Sequence, residues 1–143
     1  ESITVLVQKE VAERLCAAPG TSAYGAFSVF MQYYTEPELL FAVPRECFEP
    51  QPKVTSAVLR AVVRREPPVE VEDEKFFFRV VYAAFALRRK TLVNSLMTAS
   101  GSQITKEQVT QAVISCGLEA NIRGERLGLS EFAALSAEIA ALL

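Results

Sequence analysis

Between Glu66 and Glu74 the chain reads Glu-Pro-Pro-Val-Glu-Val-Glu-Asp-Glu, two prolines and five acids in nine residues. The prolines hold φ at about −65° and remove backbone donors, and the carboxylates stay solvated, so this stretch reads as a stiff linker. It separates two regions of different character. Upstream, β-branched runs alternate with helical spacing; downstream there is no strand signal. The predicted organisation is an α/β part over residues 1–66, an acidic proline-rich linker over 67–73 and an all-helical domain over 74–143. At 143 residues and 50% hydrophobic, the chain can build one moderate core or two small ones.

In the first region Ile3 to Val7 is a β-branched apolar run, predicted as a buried strand. Lys9 to Ala17 is a predicted helix with Val11, Ala12, Leu15 and Cys16 on one face, ended by Pro19-Gly20. Tyr24, Phe27, Met31 and Tyr34 fall at i, i+3, i+7 and i+10, a second helix that Pro37 stops. Glu38 to Val43 is a short strand, and Thr55 to Arg65, apolar on both faces, is the longest and central one. In the second region Phe76, Phe77, Val80, Val81, Ala84, Phe85 and Leu87 keep helical spacing, and Leu92, Leu96 and Met97 mark a second helix. Thr105-x-x-Gln108 forms a capping box before Val109, Ala112 and Val113, with Gly117 as the stop. Ser130 is the predicted cap of a last helix carrying Phe132, Leu135, Ile139 and Leu142.

The residues with chemical promise sit at Phe48-Glu49-Pro50-Gln51-Pro52-Lys53-Val54-Thr55-Ser56. Alternate prolines predict an extended, unpaired tether that holds the Phe48 ring at the mouth of a sheet, with Lys53 close by. Such a ring either stacks on a flat ligand or plugs a core. Arg88-Arg89-Lys90 closes an amphipathic helix. Three adjacent cations there either complement the helix dipole or grip phosphates without reading sequence. Arg60, Arg64 and Arg65 fit a solvated strand end equally well. Gln8 and Lys9 follow a strand, where capping of the next helix is the expected role.

Composition excludes several classes of function. Histidine is absent, which removes the usual triads, the usual general base and most zinc sites. Cys16, Cys47 and Cys116 lack C-x-x-C spacing and read as free, packing thiols of a reducing cytoplasm. No apolar run nears the roughly 18 residues of a membrane span, and no signal peptide opens the chain. The net charge of −2 leaves only a local basic patch for nucleic acid.

Phe-x-Pro-x-Pro-Lys-Val-x-Ser resembles a motif of the ribosomal RNA adenine dimethyltransferases, which the erythromycin-resistance methylases share. Further stretches match the same family in order: Val7 to Leu15, Ala18-Pro19-Gly20 with Tyr24-Gly25, Gln32-Tyr33-Tyr34, Phe85 to Leu96, and Arg123-Gly124-Glu125. The resemblance implies the C-terminal part of a Rossmann-like, S-adenosylmethionine-dependent methyltransferase sheet, followed by a small helical domain. By that analogy the 55–65 strand lies between the 3–7 and 38–43 strands, antiparallel to both. It implies that Phe48 stacks on a target adenine and that Lys53, Arg88, Arg89 and Lys90 contact small-subunit ribosomal RNA. The family's glycine-rich cofactor loop and its Asn/Asp-Leu-Pro-Tyr-type motif are absent from this sequence. No residue here is therefore expected to bind S-adenosylmethionine, none is assigned with certainty as catalytic, no metal site is expected, and the chain alone is expected to be inactive. It is also expected to self-associate through the exposed 3–7 edge. An erythromycin-resistance methylase acting on large-subunit RNA, and a non-enzymatic nucleic-acid-binding relative, are the alternatives.

Overall fold

The computed structural model describes residues 1–100 and 103–143. The chain divides at Pro67 into two units, Glu1–Pro67 and Pro68–Leu143. The first unit runs β1 (Ser2–Gln8), α1 (Lys9–Leu15), α2 (Ala26–Tyr34), β2 (Thr35–Val43), a 3-10 turn at Arg45–Cys47, and β3 (Ser56–Val63). β3 lies between β1 and β2 and is antiparallel to both, as the resemblance implies.

Register decides which side chains are covered. Val7 pairs with Ala57, and Leu59 pairs with both Val5 and Leu39, so these residues share one face. Helix α1 sets Ala12 and Leu15 against it, making a buried cluster with Ala57 and Leu59 that Val7, Val11, Cys16, Met31 and Leu39 surround. On the opposite face Leu6, Val58 and Phe41 form one cross-strand row. Leu6 is 51% and Phe41 56% exposed. The expectation that Ile3 to Val7 is buried is therefore corrected. Ile3 is 54% exposed, because β1 is an edge strand and the helical cover is centred on Leu59.

Pro37 lies inside β2 and does not stop the preceding helix. In this three-stranded sheet β2 is an edge strand, the position in a sheet where proline is tolerated. β2 thereby reaches nine residues against eight in β3, and the central strand is not the longest. The face of α2 also differs from its apolar stripe. Phe27 and Tyr34 are exposed, while Ser28, Val29 and Tyr33 are buried. Polar bonds override the periodicity. The Ser28 hydroxyl donates to the Arg14 carbonyl and accepts from the Gly25 N–H at 3.1 Å. Gln32 Nε2 donates to the carbonyls of Leu15 and Ala17 at 3.2 and 2.8 Å, satisfying the open end of α1.

The second unit runs α3 (Glu74–Phe85), α4 (Leu92–Ser100), α5 (Lys106–Ser115), a 3-10 turn at Gly124–Arg126, and α6 (Leu129–Ala140). Asp73 starts α3, its carboxylate accepting the Phe76 N–H at 3.1 Å. The Thr105–Gln108 capping box forms in both directions, and Gly117 follows α5 with φ 77°. Phe77, Val81, Leu92, Val113, Leu127, Phe132 and Leu135 are the most deeply buried apolar residues of this unit. Ser130 does not cap α6, which begins one residue earlier, after Gly128. No helix among the described residues is long and apolar enough to cross a membrane.

Candidate functional site

The loop that carries Phe48 crosses one end of the three-stranded sheet. Gln8, Ser56 and Val43 are in register there, and the Lys9 N–H donates to the Thr55 carbonyl at 2.9 Å. The loop thus stands at the carboxyl end of β1, where open α/β sheets place ligands. Gln8 precedes α1 without a side-chain cap bond, contrary to the capping expectation. Lys9 makes a half-exposed pair with Glu13 at 3.9 Å, which contributes little.

Two bonds shape the start of the loop. The Cys47 N–H donates to the Pro44 carbonyl and the Phe48 N–H to the Arg45 carbonyl, both at 3.1 Å. Arg45 Nη1 then reaches across to the Lys53 carbonyl at 3.4 Å, closing the segment that contains both prolines. Phe48 itself is extended, with φ −115° and ψ 149°. The straight tether expected after it is corrected, since residues 48–50 bend and the Glu49–Pro50 peptide is cis. The Phe48 ring is half-buried and Lys53 is exposed. The Lys53 ammonium has no partner among the described residues. A ring carried on a closed loop, with part of its surface open, can serve as a stacking wall. Sequence reasoning passed over Arg45; a bond that closes a loop leaves no periodic trace.

Cys47, beside Phe48, is exposed and so does not pack. Cys16 and Cys116 are half-buried, and burial pushes both thiols above their ordinary range. Two of the strand-end arginines have structural partners. Arg60 pairs with Glu38 at 3.3 Å. Arg64 Nε donates to the carbonyls of Gln32 and Thr35 at 3.0 and 3.2 Å, and its Nη1 meets Glu36 at 3.2 Å. These bonds tie β3 to the junction of α2 and β2.

Arg88, Arg89 and Lys90 belong to the second unit and are exposed. They do not lie in the last turn of a helix, as the spacing predicts. α3 ends at Phe85, and the three cations occupy the α3–α4 connection, where the Lys90 N–H donates to the Leu87 carbonyl at 3.0 Å. Ser95 of α4 meets the backbone at this end of α3. Its hydroxyl donates to the Ala83 carbonyl at 2.6 Å and accepts the Leu87 N–H at 3.1 Å.

Three of the glycines have defined surroundings. Gly25 opens on empty space and Gly117 ends a helix, while the space at Gly124 is filled by Ala84.

Comparison with known proteins gives the class to which this sheet and helical unit belong. The chain belongs to the ribosomal RNA adenine dimethylase family, whose model matches residues 1–139. Among curated relatives it is 50% identical over 141 residues to ribosomal RNA small subunit methyltransferase A of Geobacillus kaustophilus, covering 98% of this chain and 48% of that protein. It is also 50% identical over 133 residues to the protein of the same name from Streptococcus gordonii, covering 92% and 46%. The chain therefore spans about half the length of these relatives. Two solved structures share its fold. A dimethyladenosine transferase from Plasmodium falciparum superposes with TM-score 0.80 at 18% identity, over 99% of this chain and 58% of that one. The 23S rRNA methyltransferase ErmE superposes with TM-score 0.64 at 23% identity, over 98% and 55%.

Proposed function

We propose that residues 1–143 are the C-terminal portion of a cytoplasmic enzyme that dimethylates two adjacent adenines near the 3′ end of small-subunit ribosomal RNA, during assembly of that subunit. The observation that carries this reading is Phe48, half-buried in an Arg45-braced loop at the carboxyl end of β1, in a chain of this family. A base that leaves its stack costs about a few kcal/mol, and an aromatic wall offsets part of that. Phe48 in this account stacks on the target adenine, and Lys53 neutralises a nearby phosphate. Arg88, Arg89 and Lys90 hold the RNA backbone by charge. What these residues supply is binding and orientation.

S-adenosylmethionine is the methyl donor in this reading. The family's glycine-rich loop does not occur in this sequence, so in this reading the cofactor is held by the remainder of a longer protein, and residues 1–143 alone are inactive. The 50% identity to small-subunit methyltransferases favours the small-subunit substrate over the large-subunit RNA named for ErmE.

A chimera tests this directly. Join the half of the Geobacillus kaustophilus relative that these residues do not match to residues 1–143, and incubate it with labelled cofactor and unmethylated ribosomal subunits. Dimethyladenosine in small-subunit RNA is expected. Label confined to large-subunit RNA would refute the proposal, as would a folded chimera that transfers nothing.

A further inference from the structure

Residues Ala86, Leu87, Arg88, Arg89 and Lys90 contain no glycine or proline, and all five are strong helix formers. Local propensity therefore runs α3 on through the cations, yet the helix stops at Phe85. In a continuing helix the Leu87 N–H bonds the Ala83 carbonyl, four residues back. Here the Ser95 hydroxyl stands between those two groups, donating to the carbonyl at 2.6 Å and accepting the N–H at 3.1 Å. Ser95 is fully buried, so this bridge is closed to water. The far side of the turn is fixed as well. Thr91 Oγ1 accepts the Asn94 N–H at 3.3 Å, and the Leu92 N–H donates to the Ile122 carbonyl at 2.7 Å.

The alternative conformation shows what the interruption achieves. Phe77, Val81 and Ala84 lie on the buried stripe of α3, and a continued helix would add position 88 to that same stripe. Arg88 would face the packed side, and its neighbours would project about 100° apart around the axis. In the observed turn all three cations are exposed.

We infer that Ser95 is the positioning residue of the RNA-binding turn: by inserting its hydroxyl between Ala83 and Leu87 it ends α3 and turns Arg88, Arg89 and Lys90 out of the helix toward phosphate. This rests on the RNA role proposed above for the three cations. The test is Ser95→Ala in the full chain, read by backbone carbon chemical shifts of residues 86–90. Binding of a small-subunit ribosomal RNA fragment is measured alongside, over a range of salt concentrations. The expected result is a shift of Leu87, Arg88 and Arg89 toward helical values with a roughly tenfold weaker complex, equivalent to about 1.4 kcal/mol. The salt slope should fall by about 0.7–0.9 for each phosphate that is no longer neutralised. Simple destabilisation would lower the folded fraction and leave that slope alone.

In an Arg88→Ala, Arg89→Ala, Lys90→Ala background, Ser95→Ala should weaken binding no further. Ser95→Cys keeps the shape with a weaker hydrogen-bonding group, should fall between the two, and serves if the alanine variant does not fold. Unchanged shifts in Ser95→Ala, or unchanged binding and slope despite a lengthened helix, would overturn the inference while the triple variant still loses RNA. Wild-type binding by the triple variant would instead overturn the RNA role of the cations, and this inference with it.

Discussion

Gly124→Ala should destabilise the helical unit through a steric conflict that can be located atom by atom. A Cβ at Gly124 would stand 2.6 Å from the Ala84 carbonyl oxygen, 3.1 Å from its carbon and 3.2 Å from its Cβ. The obstacle is mostly backbone in the last turn of α3, which cannot rotate aside as a side chain could. α3 and the Gly124–Arg126 turn must therefore part. Overpacking of this kind costs about 1–3 kcal/mol. For a domain of 60–100 residues that corresponds to about 4–8 °C of melting temperature per kcal/mol. Gly117 is the matched comparison. Nothing lies within 4 Å of its would-be Cβ, but its φ is +77°, so Gly117→Ala carries only the left-handed backbone cost of about 1–2 kcal/mol. Asparagine tolerates that conformation and should cost less than alanine at 117; at 124 the larger asparagine should cost more. Urea unfolding followed by circular dichroism measures all four variants. A Gly124→Ala protein within about 0.5 kcal/mol of wild type, the ordinary range for surface changes, would refute the close approach. So would the same side-chain preference at both glycines.

Other consequences are equally direct. Arg64→Met strands the Gln32 and Thr35 carbonyls that the guanidinium now serves, so it should cost about 1–3 kcal/mol in chemical unfolding. RNA affinity per folded molecule should be unchanged; a selective loss of affinity would contradict the structural role. With limiting thiol reagent near neutral pH, Cys47 should be labelled first. Burial raises the Cys16 and Cys116 thiols and leaves less thiolate on each, and peptide mass spectrometry gives the order. Residues 1–143 alone should associate with rising concentration in light scattering, because β1 has a sheet partner on one side only. A strictly monomeric species would contradict an open edge.

Much of the architecture is legible in the sequence because it is written in local chemistry. The two-sided apolar run from Ala57 to Val63 marks β3 as central, and Thr105 with Gln108 announces α5. What stays hidden depends on partners distant in the chain. At the end of α3 the Ala83 carbonyl and the Leu87 N–H bond Ser95, a residue of the next helix. The inner face of α2 is chosen by Ser28 and Gln32 bonding the end of α1, against the pull of Phe27 and Tyr34. Arginines show the same limit at the candidate site. In sequence Arg45, Arg64 and Arg88 are alike, yet one closes the Phe48 loop, one ties strands to a helix and one lies in an exposed turn. The Phe48 motif announces its loop, whereas the Arg45 bond and the bend at Pro50 come only from the fold.

The most direct test is Phe48→Ala in the longer protein proposed above, with initial methylation rate and melting temperature measured on the same preparation. If the ring is a stacking wall, the rate should fall by the equivalent of about 1–3 kcal/mol of lost base stacking. Phe48→Tyr or Phe48→Trp should restore part of it, and the melting temperature should barely move. If the ring is instead a core plug, the alanine variant should lose about 3–5 kcal/mol of stability. A large drop in melting temperature, with activity per folded molecule intact, would contradict the account.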